Sequence, residues 1–270
     1  MLPTLPMDYN HAMKLIDSHC HLEEMENLEA TIEEAKSAGI VAIIAVGSDY
    51  QSNNQVLEIA EKYHGFVYPA LGIHPARIEA SQINQNLGFI EDHLTKAKGV
   101  GEVGLDYHKK IKEIAPKEMQ KSVFREILGI ARKHQKPVII HSRYAWRDAL
   151  SLLEEVNVEK AVFHWYTGPS SVLKDIVGLG YFISATPATE YHQEHRRAVK
   201  TVSLENLLIE TDSPVSYGKE LKWQAKPAHT LIALKAVAEA RGISEQELAQ
   251  TTTNNAINFF DLPPKLGERA

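Results

Sequence analysis

The fold class predicted is α/β, a single (β/α)8 TIM barrel, and three observations predict it. Short β-rich apolar runs alternate with helical patterns along almost all of the 270 residues. Several runs are near-continuous Val, Ile, Leu and Ala, as parallel strands buried on both faces require. His, Glu and Asp recur where those runs end, and a barrel of this kind carries its chemistry at the C-terminal ends of its strands. The structural rival is an open doubly wound sheet. It would usually place a glycine-rich phosphate loop after its first strand, and no G-x-G-x-x-G or P-loop motif occurs.

The strands expected, in order, are Leu15–His19, Ile40–Ala45, Phe66–Gly72, Gly99–Val103, Pro137–His141, Lys160–His164, Tyr181–Ser184 and Leu207–Thr211. Among the helices between them, Lys117–His134 has the clearest periodicity, with Met119, Val123, Ile127, Ile130 and His134 on one stripe. Gln51–Tyr63, Ala145–Val156 and Pro227–Ala240 read similarly. Pro116 suits a first helical turn, and Gly39 and Gly99 stand where a left-handed cap would follow a helix. Ser244–Phe260 reads as two short closing helices. With no repeat, linker or low-complexity tract, residues 15–260 form one barrel domain, 1–14 an N-terminal extension and 261–270 a loose C-terminal tail.

Composition narrows the functional classes. The chain is 44% hydrophobic and 24% charged, ordinary soluble values. A net charge of −6 argues against gripping long duplex DNA by phosphate neutralisation, though not against a small basic pocket. One cysteine permits no intrachain disulfide, which points to a reducing, cytoplasmic setting. No apolar run approaches the ~20 residues of a membrane span, and Met1 to Lys14 lacks a signal-peptide pattern. No decisive apolar excess marks the outer helical faces, so a monomer is expected.

The first strand ends in His19-Cys20-His21. Side chains two apart on a strand share a face, so the two imidazoles project together and Cys20 packs the other way. Two such imidazoles can hold one divalent cation that activates water. The remaining strand ends supply His74, Glu102, His141 with Arg143, His164, and Asp212. Each is weak evidence alone. The succession at matching strand ends makes a metal-dependent hydrolase the expectation.

These segments resemble the TatD family of metal-dependent hydrolases, in the amidohydrolase-like superfamily, from about Leu15 to Phe260. The resemblance rests on Asp17-Ser18-His19-Cys20-His21-Leu22, Gly72-Ile73-His74-Pro75, Gly101-Glu102-Val103-Gly104-Leu105-Asp106-Tyr107, Pro137 to Arg143, Glu210-Thr211-Asp212-Ser213-Pro214 and Thr252 to Ala256. It implies a deoxyribonuclease or exonuclease using two divalent ions, Zn, Mn or Mg. In that pattern His19 and His21 hold the first ion and Glu102 bridges both. His141 and His164 complete the second site, and Asp212 touches the first ion and serves as general base. His74 and Arg143 lie beside the ligand set and are assigned to a substrate phosphate, which a guanidinium fork suits.

One motif departs from the family: after strand six the chain reads His164-Trp165-Tyr166-Thr167-Gly168, where Cys-Phe-Ser-Gly usually follows the histidine. Trp165 and Tyr166 are expected to reshape the pocket wall or to offer a face for a base. Glu210 shares the parity of Asp212 and is expected deeper, orienting a ligand histidine or forming a buried ion pair. The basic stretch Tyr107 to Lys112 reads equally as a nucleic-acid guide or a solvated loop. Blander roles stay open for His74, as a histidine bonded to backbone, and for Arg143, as a surface arginine. The substrate expected is DNA, single-stranded at its ends. The alternative is a small amide or ester cleaved on the same metal site, because activated water attacks carbonyl carbon as well as phosphorus.

Overall fold

In a computed structural model of the chain, residues 13–220 and 222–267 are described. The expected extension therefore lies outside the described residues except for Met13 and Lys14, and so do residues 268–270 of the tail.

All six residues of β1 (Leu15–Cys20) are buried. The chain then runs through α1 (Leu28–Ser37), β2 (Ile40–Val46), α2 (Tyr50–Lys62), β3 (Val67–Leu71) and α3 (Ile83–His93). β4 (Gly99–Asp106), α4 (Lys109–Ile114), α5 (Lys117–Lys133), β5 (Val138–Arg143) and α6 (Trp146–Val156) follow. Next come β6 (Ala161–Phe163), α7 (Ser170–Gly178), β7 (Phe182–Ala185), α8 (Gln193–Thr201) and β8 (Leu207–Ile209). A small hairpin, β9 (Ser216–Tyr217) with β10 (Trp223–Gln224), precedes α9 (Thr230–Arg241) and α10 (Glu245–Phe260).

β1 to β8 pair in sequential order, all parallel. The ring closes where Asp212 N donates to His19 O at 3.0 Å and His21 N donates to Ser213 O at 2.8 Å. This is the (β/α)8 barrel expected, with each predicted strand present. Inward side chains (Ile16, Ile44, Val46, Ala70, Ile139, Val162, Leu208) form one cluster, plugged at the N-terminal end of the barrel by Phe259 and Phe260 of α10. Outward side chains such as Ile43, Leu71, Val103 and Ile140 pack against the helices. Ile16 belongs to the inner cluster and Cys20 to the outer one, although both numbers are even. A register irregularity between Asp17 and Cys20 makes that change, and it swings His19 toward the barrel mouth.

Three local expectations are corrected. Ser244–Phe260 is one helix: Ser244 caps it by accepting from Glu247 N, and Leu248, Ala249, Thr252, Thr253, Ala256, Phe259 and Phe260 form an unbroken buried face. The tail is not loose up to residue 267, because Leu262 and Leu266 are buried against the inner cluster and Lys14 Nζ donates to Leu266 O. Gly39 does adopt a left-handed φ of +84°, but Gly99 simply begins β4. Among the described residues, no helix is long and apolar enough to cross a membrane.

Candidate metal centre and catalytic cleft

The C-terminal mouth of the barrel opens into a cleft of about 1080 Å³ lined by His21, His74, Glu102, His141, His164 and Asp212, among others. Two glycines let the backbone carry these groups so close together. A Cβ on Gly72 would lie 2.4 Å from Glu102 O, and one on Gly104 (φ +143°) would lie 2.1 Å from His141 O.

Glu102 is 2% exposed at the centre. Its Oε2 lies 3.4 Å from His19 Nε2 and 3.2 Å from His21 Nε2. Its Oε1 lies 2.8 Å from both His141 Nδ1 and His164 Nε2, and 3.7 Å from His74 Nε2. Asp212 Oδ1 adds to the first group, 3.4 Å from His19 Nε2 and 3.7 Å from His21 Nε2. One carboxylate thus presents a separate oxygen to each of two clusters.

The first cluster fits a divalent ion. Donor atoms at about 2.1 Å from a tetrahedral ion stand about 3.4 Å apart, the spacing seen here. Buried His19 has no hydrogen-bond partner at either ring nitrogen. A neutral imidazole left so would cost free energy, whereas a cation satisfies its lone pair. The rings of His19 and His164 stack 4.2 Å apart at 5°, an arrangement that disfavours charge on both.

Carboxylates stand behind three of the four imidazoles. Glu23 Oε1 is 3.4 Å from His21 Nδ1, Asp106 Oδ2 is 3.0 Å from His141 Nε2, and Glu210 Oε2 is 3.5 Å from His164 Nδ1. The Asp106 contact is a hydrogen bond that keeps the His141 proton on Nε2 and leaves Nδ1 for the centre, whereas Glu23 and Glu210 act on their imidazoles by charge alone. Burial opposes charge on His21 and His164, but Glu102 with Glu23 or Glu210 outweighs it and holds both well above the ordinary range. Burial likewise opposes charge on Glu102, yet the imidazoles of His164, His74 and His19 keep it well below the carboxylate range. His74 differs: burial pushes it down to about 3. Its Nδ1 accepts from Ala76 N, so the neutral ring carries its proton on Nε2, toward the cleft.

The structure brings together all of His19, His21, His74, Glu102, His141, His164 and Asp212, with Arg143 at the rim of the same cleft. Arg143 is held by Asp106, whose two carboxylate oxygens accept from Nε and whose Oδ2 pairs with Nη2 at 2.8 Å. Sequence reasoning left the roles of Asp106 and Glu23 unassigned. The parity of Glu102, Gly104 and Asp106 along β4 was the available signal for the first; Glu23 lies on an irregular turn that carries no periodicity. Asp17 was also unassigned. It accepts from Thr211 N and Oγ1 and so ties the ends of β1 and β8, where His19 and Asp212 sit.

Tyr166 is a correction. It is wholly buried, and its hydroxyl donates to Pro169 O, so it forms no part of the cleft wall. Trp165 does line the cleft, on a left-handed backbone (φ +40°), because Glu210 Oε1 and Ser184 Oγ both accept from its N–H. Cys20 is buried as expected, 3.2 Å from Ser213 Oγ.

A family model described as TatD related DNase matches residues 16–261. The chain belongs to the TatD family. Human deoxyribonuclease TATDN3 is 32% identical over 265 residues, covering 93% of this chain and 95% of that protein. YabD of Bacillus subtilis, named as an uncharacterized metal-dependent hydrolase, is 31% identical over 257 residues, covering 91% and 98%. The crystal structure of YJJV, a TatD homologue of Escherichia coli K12, matches with a TM-score of 0.83 at 27% identity, covering 92% of this chain and 98% of that one. This TatD-family chain is accordingly a metal-dependent hydrolase, and its cleft carries a donor set suited to that class.

Proposed function

We propose that this TatD-family protein is a two-metal phosphodiesterase that hydrolyses DNA, as a monomeric exonuclease on single-stranded ends. The observation that carries the reading is the division of the two Glu102 oxygens between two imidazole clusters, with a carboxylate-anchored arginine on the same cleft.

His19, His21, Glu102 and Asp212 would hold one ion, and Glu102, His141 and His164 the other, with Zn, Mn or Mg each compatible with such donors. When bound, the ions supply acidified water and stabilise charge developing on phosphorus. The protein side chains do the rest. Arg143 and the Nε2 proton of His74 donate to non-bridging phosphate oxygens and orient the phosphorus. Asp212, 7% exposed at the inner edge of the cleft, takes the proton of the attacking water as general base. Asp106 keeps His141 in the required tautomer. Trp165 limits the wall on the β6 side.

The test is cleavage of end-labelled single-stranded DNA by metal-stripped protein refilled separately with Mg, Mn or Zn, with Asp212→Ala alongside. Laddering from one end that vanishes in the variant supports the reading. Cleavage undiminished in Asp212→Ala would sink the general-base assignment. No cleavage with any metal, despite two bound ions per chain, would shift the reading to an amide or ester substrate.

A further inference from the structure

Tyr144 combines high exposure with an unusual backbone. It is 62% exposed, and its backbone is left-handed at φ +58°. Both features are unfavourable for an aromatic residue. The reason for the backbone lies one residue earlier. Arg143 ends β5, and in a continuing strand the next side chain would point to the opposite face. The left-handed turn cancels that alternation, and Arg143 and Tyr144 both line the catalytic cleft. Trp146 then buttresses the tyrosine edge-on, with ring centroids 6.0 Å apart at 72°. A strained backbone that sets an aromatic face beside a phosphate-binding guanidinium is the arrangement a nucleotide needs. Its base is carried one sugar away from its phosphate, and its π-face stacks on aromatic rings.

We propose that Tyr144 is a nucleobase platform, on which the base adjoining the Arg143-bound phosphate stacks. The substrate class is thereby narrowed to nucleobase-bearing phosphodiesters. Simple phosphate esters and small amides would leave the ring uncovered. This inference rests on the phosphodiesterase reading of the same cleft.

The test uses the full chain loaded with Mn and two single-stranded oligonucleotides, one of ordinary thymidines and one with abasic residues at the cleaved end. Tyr144→Ala should lower kcat/KM on the thymidine strand about tenfold, chiefly through KM, and leave the abasic strand unchanged. Tyr144→Phe should restore the wild-type value, because the ring is retained. Equal losses on both strands, or no loss on either, would overturn the platform while leaving the phosphodiesterase reading intact. Failure of the wild-type protein to cleave either strand would overturn that reading and the platform with it.

Discussion

Asp106 accepts from Arg143 Nε (2.9 Å) and pairs with its Nη2 at 2.8 Å, while the same carboxylate lies 3.0 Å from His141 Nε2. Asp106 is fully buried, and its partner arginine is half exposed. A single carboxylate therefore fixes both an imidazole of the candidate metal centre and the guanidinium at the cleft rim. Among the described residues, Arg143 Nη1 has no acceptor, so it remains free for a ligand. Burial opposes charge on Asp106, but hydrogen bonds from His141 and Arg143 overcome it and hold the carboxyl below its ordinary range.

Asp106→Asn should keep the shape and lose the charge. Arg143 would lose its anchor and His141 its preferred tautomer. We expect kcat/KM on DNA to fall about 10- to 100-fold with the circular-dichroism spectrum unchanged. Unaltered kinetics in this variant would show that neither partner depends on the carboxylate.

Metal should stabilise the fold as well as serve the chemistry, since the two clusters converge only in the native barrel. Adding Zn or Mn to chelator-stripped protein at about 100 times the dissociation constant should contribute about 2.7 kcal/mol, raising Tm by about 5 °C or more. Glu102→Ala removes the ligand proposed to be shared and should abolish most of that shift. A full shift in the variant, followed by differential scanning fluorimetry, would contradict the bridging role.

His195 should impose a pH dependence on stability. It is fully buried, Nδ1 donates to Tyr166 O at 2.8 Å, and Nε2 accepts from Thr186 N at 3.1 Å. Burial pushes it down to about 4. The unfolded chain binds a proton near pH 6.5 that the folded chain refuses until about pH 4, so stability falls as pH drops through that window. The histidine alone should cost about 2 kcal/mol between pH 7 and pH 5. Urea midpoints for wild type and His195→Gln at both pH values measure it, and the variant should show the shallower dependence. Identical slopes would rule out His195 as the source.

Leu266→Ala tests the anchored tail. Leu266 is 4% exposed and packs in the cluster that plugs the N-terminal end of the barrel. Truncating it should cost about 2–3 kcal/mol in urea unfolding, with turnover unchanged because the cleft lies at the other end. A cost below a few tenths of a kcal/mol would mean that the tail is ornamental.

Periodicity carried most of the fold, because strands buried on both faces have little choice of composition. Ile40–Val46 and Val138–Ile140 could be read directly. Where expectation failed, no periodic signal distinguished the alternatives. Nothing in the residue types separates one capped helix over Glu245–Phe260 from two, and Leu262 and Leu266 are too few to mark a packed tail.

The metal-type residues could be picked out from the chain alone because imidazoles and carboxylates recurred at strand ends, and a barrel brings its strand ends to one face whatever its loops do. Which oxygen of Glu102 meets which imidazole could not be read this way. Nor could the carboxylates behind His21 and His141, the withdrawal of Tyr166 into the core, or the turning of Tyr144 into the cleft. Those depend on a register irregularity in β1, on close backbone approaches at Gly72 and Gly104, and on left-handed turns at Trp165 and Tyr144. Parity along a strand predicts a side chain's face only while the strand stays regular. At the barrel mouth it does not, and there the direction of each group is set by what packs against it.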